Sequence, residues 1–477
     1  MFQKIKISLF ILWFIPMVGI AQTMADASYD LEKRMPLEEW SILSENNLPI
    51  HNIDALYNFL EQLQHLYTKK TGKVRIAHIG DSHIQAGFFP SKSRKDLQRI
   101  FGNAGLGFTF PHRLAKTNGI MGLKYSSSIP WESKRNIFAT DVDPVGLSGF
   151  SLHTKHNDFA IALNIEEEEY AFNSLRIITP NRSPMFSVAK AIRNVELKNH
   201  STQRITHTIK SGEALSIIAR KYGVTINQIK QANNLRSDVI RAGGKLIIPI
   251  KTDKPEAVDR SAFEILPFKD SNDDFVYHSS SLQKSIWLLP NEDTATYALN
   301  GVVLERDNPG LIYDGIGVNG ARFKDYNKTK LFFEQLQELH PDLLVVSLGT
   351  NESFDELDKD TYISDLKLFI KNIKHALPET SLLFTTPPPS LVKRSTPNMY
   401  AEEYAEEIKK LVEDENIAVW DLYNVLGGNK NIKKNYNDGL VARDYIHYTK
   451  EGYELTGTLF TEALLQAFFH YSINQRN

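Results

Sequence analysis

Apolar positions fall along this chain in blocks of different period. From Asn52 to Lys70 (NIDALYNFLEQLQHLYTKK) they recur every three or four residues, the spacing that gives a helix one apolar face. A denser run follows in VRIAHIG, where Val74, Ile76 and Ile79 fit a buried strand that stops at Gly80. Pro90 to Gly102 (PSKSRKDLQRIFG) predicts another helix, with proline near its first turn and glycine as its stop. Strand, loop and helix in that order open an α/β domain.

Past about Pro111 the texture becomes strand-rich. GLSGFSLHT, DFAIALNIE and NSLRIITP are short alternating or apolar pieces between turn residues, and the pattern returns in SIWLLPNEDTATYALNGVVLE, Ser285 to Glu305. Between these blocks, Thr206 to Ile250 reads as strand, helix, helix, strand, with Leu215, Ile217, Ile218 and Ala219 on one helix, Ile226 and Ile229 on the next, and KLIIPI as the closing strand. From Gly310 the α/β rhythm resumes. Helices are predicted at TKLFFEQLQELH, YISDLKLFIKNIKHAL, AEEYAEEIKKLVEDE and from about Lys450, with strands at DLLVVSLGT, SLLFTTPPP and IAVWDLY. Such alternation implies a parallel sheet covered by helices. The chain thus divides into an α/β domain (22–110 and 309–477), a β-rich insertion (111–203 and 252–308) and a small module inside the insertion (204–251).

Composition narrows the function class. The 477 residues are 42% apolar and 23% charged, the make-up of a globular protein, and a net charge of −2 gives no electrostatic case for nucleic acid. There is no cysteine, which removes disulfides, thiolate zinc sites, thiol nucleophiles and a lipidated cysteine anchor. Lys4 and Lys6 precede an apolar run from Ile7 to Ile20 and a small-x-small site at Gly19–Ala21, so residues 1–21 are expected to be a secretory signal peptide. An uncleaved anchor is the competing reading, against which stands a core shorter than the ~20 residues of a spanning helix. The mature protein is expected to be exported, periplasmic or secreted, with no stable membrane insertion.

The chemistry sits where strands end. Ser82, in GDSH, follows a strand of the kind whose C-terminal rim binds ligands in open α/β sheets, although Gly-Asp-Ser is also ordinary turn composition. Serine needs a base, and DYIH places Asp444 three residues before His447, just ahead of the last predicted helix. LLVVSLGTNES would put the Asn351 amide on the same rim, a suitable oxyanion donor, and the glycine-rich YDGIGVNGARF can bring a backbone N–H there. His78, His83 and Asp81 invite a metal reading, but no third spaced ligand or His-Glu motif accompanies them. His78 reads as a strand side chain and His83 as a loop residue lining the pocket. The EEEE run, Glu166 to Glu169, reads as a solvated hairpin tip. No cofactor or metal is expected.

The ordered blocks GDSH, GVNGA, GTNE and DYIH resemble those of the SGNH (GDSL-type) hydrolase superfamily, esterases on a flavodoxin-like three-layer α/β/α fold. The resemblance implies Ser82 as nucleophile, Asp444 and His447 as its acid–base pair, and an oxyanion hole made by the Ser82 amide, Gly320 and Asn351. His83 stands where the family has leucine, and Glu352 where it often has aspartate. The form IGDSHIQA and the long insertion resemble the branch that removes O-acetyl groups from peptidoglycan, in which a carbohydrate-binding-like β-sandwich is inserted here. The small module closely resembles a LysM domain: GEALSIIA stands for its opening block, Asn233–Leu235 for its NxL, and Gly243 to Pro249 for its ending. LysM domains bind N-acetylglucosamine-containing glycans, in bacteria usually peptidoglycan. By that resemblance Gly212, Glu213, Ala214, Leu215, Asn233 and Asn234 would meet the glycan, with Glu213 and Ala214 replacing the usual aspartate and threonine; a purely structural LysM is the alternative. The expected function is a serine esterase removing O-acetyl groups from peptidoglycan through an acyl-serine. An esterase or acyltransferase on another acylated sugar or lipid ester, and a non-catalytic wall-binding protein, are the rival readings.

Overall fold

The computed structural model describes residues 50–140, 143–197, 202–251, 256–271, 274–291 and 294–474; the segment expected to be a signal peptide lies outside them. Six strands form the central sheet: β1 (Ile50–His51), β2 (Lys73–Gly80), β3 (Gly310–Gly317), β4 (Leu343–Ser347), β5 (Ser381–Thr385) and β6 (Ala418–Trp420). Their order is β1-β6-β5-β4-β2-β3. β2 to β6 run parallel, and the short edge strand β1 runs antiparallel to β6.

The helices that matter below are α1 (Tyr57–Lys69), α2 (Ser82–Gln85), α3 (Phe88–Phe101), α4 (Thr350–Phe354), α5 (Lys359–Ala376), α6 (Met399–Lys409) and α7 (Lys450–Asn474). Alternate side chains of the buried strands enter two different cores, as a period of two requires. Val74, Ile76, Leu343, Val345 and Trp420 meet Phe59 and Leu63 of α1, Leu97 and Ile100 of α3, and Phe460 and Phe468 of α7. Ala77, Ile79, Leu344, Val346 and Phe384 meet Phe369 and Ile373 of α5 and Tyr404 and Ile408 of α6. This is why these strands read as continuous apolar runs.

The β-rich region contributes two antiparallel five-stranded sheets and a three-stranded one. Side chains from both larger sheets, such as Leu163, Ile286 and Val188 from one and Phe172, Leu175 and Val303 from the other, share a core that continues onto the face of the central sheet. A charge cluster also crosses the junction: Arg75 of β2 donates to Asp314 of β3 at 3.0 Å and pairs with Glu305. The Glu166–Glu169 run is not a hairpin tip. Its 3-10 turn, Glu168–Tyr170, joins Ile161–Ile165 and Phe172–Ile178, which belong to different sheets, and the four glutamates are exposed, where charge is solvated at little cost.

The small module pairs Thr202–Thr208 with Lys245–Lys251 around the helices Leu215–Tyr222 and Ile226–Ala232, and its core is Leu215, Ile218, Ile229, Leu246 and Ile248. Thr225 and Gln228 form a reciprocal cap at the start of the second helix. Among the described residues no helix is long and apolar enough to cross a membrane.

Candidate active site

β2 ends at Gly80 because the chain leaves no room for a side chain there. A Cβ at Gly80 would lie 2.3 Å from Ile84 Cγ1 and 2.7 Å from the Ser347 carbonyl oxygen. This close approach lets the chain turn directly from β2 into α2, so Ser82 is the first residue of a short helix and not part of an open loop. Asp81 caps that helix, its Oδ1 accepting from the His83 N–H at 2.9 Å.

Ser82 Oγ lies 2.9 Å from His447 Nε2, and His447 Nδ1 lies 2.7 Å from Asp444 Oδ2. Asp444 Oδ1 also accepts from the backbone N–H groups of Ile446 and His447, each at 3.0 Å. Burial works to raise the Asp444 carboxyl, but these hydrogen bonds outweigh it and hold the group below its ordinary value. The 444–447 turn is tight: Tyr445 takes φ +60°, and the Ala442 N–H donates to the His447 carbonyl at 2.8 Å. A non-glycine residue in that region is a local strain, here absorbed by Tyr445 stacking on Tyr436 and by its carbonyl accepting from the Leu391 N–H.

The expected oxyanion donors are placed as follows. Of the two glycines at the end of β3, Gly317 pairs with Gly80 and is covered by α2, since a Cβ there would meet the Gln85 nitrogen at 2.1 Å. Gly320 follows in a turn with φ +86°. Among the described residues no group accepts from the Gly320 or Ser82 N–H. The neighbouring Asn319 is held from three sides. Its N–H donates to Gln85 Oε1 at 2.5 Å, its Nδ2 to Asn118 Oδ1 at 2.9 Å, and its carbonyl accepts from Arg135 at 3.1 Å. Asn351, on α4, donates its amide to the Ala321 carbonyl at 2.9 Å and lies 3.5 Å from Asp81 Oδ2. If Asn351 serves as the expected oxyanion donor, Asn351→Ala should lower kcat by about 10²–10³ with little change in KM, because such a donor acts on charge present only in the transition state. Steady-state kinetics on a small acetyl ester measures it.

His78 and His83 do not converge on a shared ligand site. His78 is enclosed in the sheet, its ring nitrogens 2.8 Å from Tyr313 Oη and 2.7 Å from Ser347 Oγ. His83 is a buried residue of α2, with Nδ1 3.0 Å from Tyr453 Oη and its ring 5.4 Å from that of His447. Burial, reinforced by His447, pushes its pKa down to about 3, so it stays neutral beside the acid–base pair.

The feature least visible in the sequence is a pair of buried carboxyls behind the site. Asp81 and Glu352 are each 1% exposed. Burial raises Asp81 to about 6, and burial aided by Asp81's charge raises Glu352 to about 8. Glu352 Oε1 accepts from the Phe323 N–H at 2.9 Å, which ties α4 to the end of the Gly320 turn. A carboxyl with a raised folded-state pKa binds its proton more tightly in the native state. It therefore costs stability as pH climbs from its ordinary 4.5 through about 8. Wild type should lose urea midpoint between pH 5 and pH 8, and Glu352→Gln, the isostere of the protonated acid, should flatten that decline.

In the small module, Leu215 is buried in the core. Glu213 accepts from the Lys210 N–H at 2.7 Å and pairs with His207 at 2.8 Å. The Asn233 amide is spent on the Ile229 carbonyl and on both backbone groups of Ile247. Asn234, at φ +53°, turns the chain, and Gly212, at φ +85°, sits in the turn with Glu213 and Ala214 that leads into the first helix. Asn233 and Leu215 thus hold the module together.

Comparison with known proteins gives three findings. The model of the GDSL-like Lipase/Acylhydrolase family matches residues 292–455, which includes Gly320, Asn351, Asp444 and His447 but not the Ser82 stretch. The LysM domain model matches residues 207–249. A solved structure of a peptidoglycan O-acetylesterase superposes with a TM-score of 0.59 over 87% of this chain and 96% of that one at 18% identity, a likeness of fold. Curated relatives match over short stretches of this chain. They include a "Probable N-acetylmuramidase" of Lactococcus lactis subsp. lactis, 51% identical over 43 residues, and a cell wall-binding protein of Bacillus subtilis, 52% identical over 42. Those matches span 9% of this chain and only 10% and 15% of the relatives' own lengths.

Proposed function

From a chain that carries a GDSL-like lipase/acylhydrolase domain and a LysM domain, we propose an exported serine esterase that removes O-acetyl groups from peptidoglycan while its LysM module holds the glycan. The observation that carries the reading is the relay of Ser82 Oγ, His447 and Asp444 at 2.9 Å and 2.7 Å, beside two backbone N–H groups without an acceptor among the described residues. Ser82 Oγ attacks the ester carbonyl as His447 Nε2 takes its proton, and Asp444 stabilises the imidazolium. The Ser82 and Gly320 N–H groups and the Asn351 amide receive the oxyanion. His447 returns the proton to the leaving sugar oxygen, and water then releases acetate from the acyl-serine by the same steps.

Our reading of the architecture is a flavodoxin-like three-layer domain interrupted by a sandwich-like insertion, which itself carries the LysM module. The two cores on opposite faces of the central sheet, and the core shared by the two five-stranded sheets, support it. The substrate is supported by the fold likeness to a peptidoglycan O-acetylesterase and by the LysM matches to wall-acting and wall-binding proteins. These also support a location outside the cytoplasm, at the cell wall.

The test is acetate release from O-acetylated peptidoglycan and from the same wall after chemical de-acetylation. Release from the acetylated wall alone supports the reaction and its substrate. Turnover of a small acetyl ester with none on the wall would keep the esterase and discard the substrate.

A further inference from the structure

An open groove of about 310 Å³ runs beside the site, walled by residues 110–125 of the insertion with Glu166 on its rim. Its position follows from the oxyanion turn. Gln85 closes α2 three residues after Ser82, a rise of about 4.5 Å along a helix. The Gln85 Nε2 donates to the Asn118 carbonyl at 2.7 Å and to Thr117 Oγ1 at 2.8 Å, while its Oε1 holds Asn319 next to Gly320. A Cβ on Gly87 would come within 3.1 Å of Ile120 Cα, so the groove wall packs directly on the chain that leaves α2. The wall of the groove and the oxyanion turn are thus one hydrogen-bonded unit.

The groove is built for an anion on a sugar. Arg113 and Lys124 both line it and are exposed, and among the described residues neither pairs with a carboxylate. Lys116 of the same stretch is likewise exposed and without a carboxylate partner among the described residues, whereas Lys95 pairs with Glu169 at 3.1 Å and Lys134 with Asp143 at 2.7 Å. Of the charged side chains lining the groove, Arg113 and Lys124 outnumber Glu166, while Glu167 lies behind Gly122 of the wall. Met121, 66% exposed, offers an apolar surface of the kind that packs against the C–H face of a sugar.

We propose that this groove is a subsite for the glycan strand next to the acylated sugar, with Arg113 and Lys124 binding the carboxylates that peptidoglycan carries on its lactyl groups and stem peptides. The proposal rests on the peptidoglycan reading of the function and names the part of the polymer that the site grips. It makes the insertion a substrate-binding element as well as a support for the Gly320 turn. The polymer's acidic groups, and not its acetyl ester alone, then set which sugars reach Ser82.

The test uses the full chain and the double variant Arg113→Ala/Lys124→Ala, assayed on O-acetylated peptidoglycan and on 4-nitrophenyl acetate. The ratio of kcat/KM on the polymer to that on the small ester should fall about tenfold, the loss expected when two exposed charge contacts are removed together. The polymer rate of wild type should weaken with salt more steeply than that of the variant. An unchanged ratio overturns the proposal. If wild type turns over only the small ester, the substrate reading has failed, and binding decides the groove separately. Retention of acidic, muramyl-containing glycan strands is compared with that of neutral chitin oligosaccharides. Loss confined to the acidic strands supports the subsite, and equal retention by wild type and variant rejects it.

Discussion

Ser82→Ala should cut kcat for ester hydrolysis by about a millionfold and leave glycan retention intact. The size follows from how the parts depend on one another. His447 Nε2 has Ser82 Oγ as its partner at 2.9 Å, and without that oxygen the imidazole has no proton to take. Single losses within such a relay cost about as much as removing all of it, roughly 10⁶ in kcat, with only oxyanion stabilisation and binding left. Retention should survive because the LysM module has its own core, built from Leu215, Ile218, Ile229 and Ile248. Acetate release and pull-down on insoluble wall, measured on the same preparation, separate the two. Residual turnover above about 1% of wild type is incompatible with Ser82 as nucleophile.

The second large effect comes from the acid. In Asp444→Asn one carboxylate oxygen becomes an amide nitrogen, and the turn decides which. The backbone N–H groups of Ile446 and His447 both point at Oδ1, so the amide oxygen must stay there and the NH₂ must face His447 Nδ1. That nitrogen then has to accept, which moves the ring proton to Nε2 and leaves nothing to receive the serine proton. The wrong tautomer costs about 10⁴ in kcat where the acid is buried. Both side chains here are 41% exposed, so water competes with the amide and a loss of about 10³ is expected. KM should change little. A loss below about tenfold would mean that Asp444 only shapes the turn.

Much of this arrangement is legible in the chain because it follows short-range rules. Val74, Ile76 and Ile79 announce a strand buried on two faces, and Asp444 with His447 can share a turn because three residues is the reach of a tight loop. The helix expected from Asn52 begins at Tyr57, since Ile53–Leu56 form a 3-10 turn that feeds the edge strand β1 across to β6. That pairing is non-local, and two residues give no periodic signal. His83 was expected in a loop, but the tight passage at Gly80 folds GDSH into the first turn of a helix. The Gln85–Asn118–Asn319 link and the Asp81–Glu352 pair lie beyond sequence reasoning for a different reason. Their polar groups are unremarkable until the insertion and the sheet bring them together and remove the water.

The strand that leads into Ser82 sits between two neighbours that are both encoded after the insertion. β2 ends at Gly80, while β3 begins at Gly310 and β4 at Leu343. Closing a flexible loop of that length carries an entropy cost that grows only with the logarithm of its length, but rate suffers more than stability. The insertion shortens the problem. Its strand Gly301–Glu305 pairs with Gly107–Thr109, just ahead of the insertion in the chain, and the Leu311 N–H donates to the Gly102 carbonyl, so once folded it delivers β3 alongside β2. Folding order should follow: amides of Leu175 and Val303, on paired strands of the insertion, gain protection from pulsed hydrogen exchange before those of Ile76 and Val345, and the reverse order would contradict this. Until the last third of the chain has emerged, Ser82 has neither His447 nor a completed sheet beside it, so the proposed site cannot yet form.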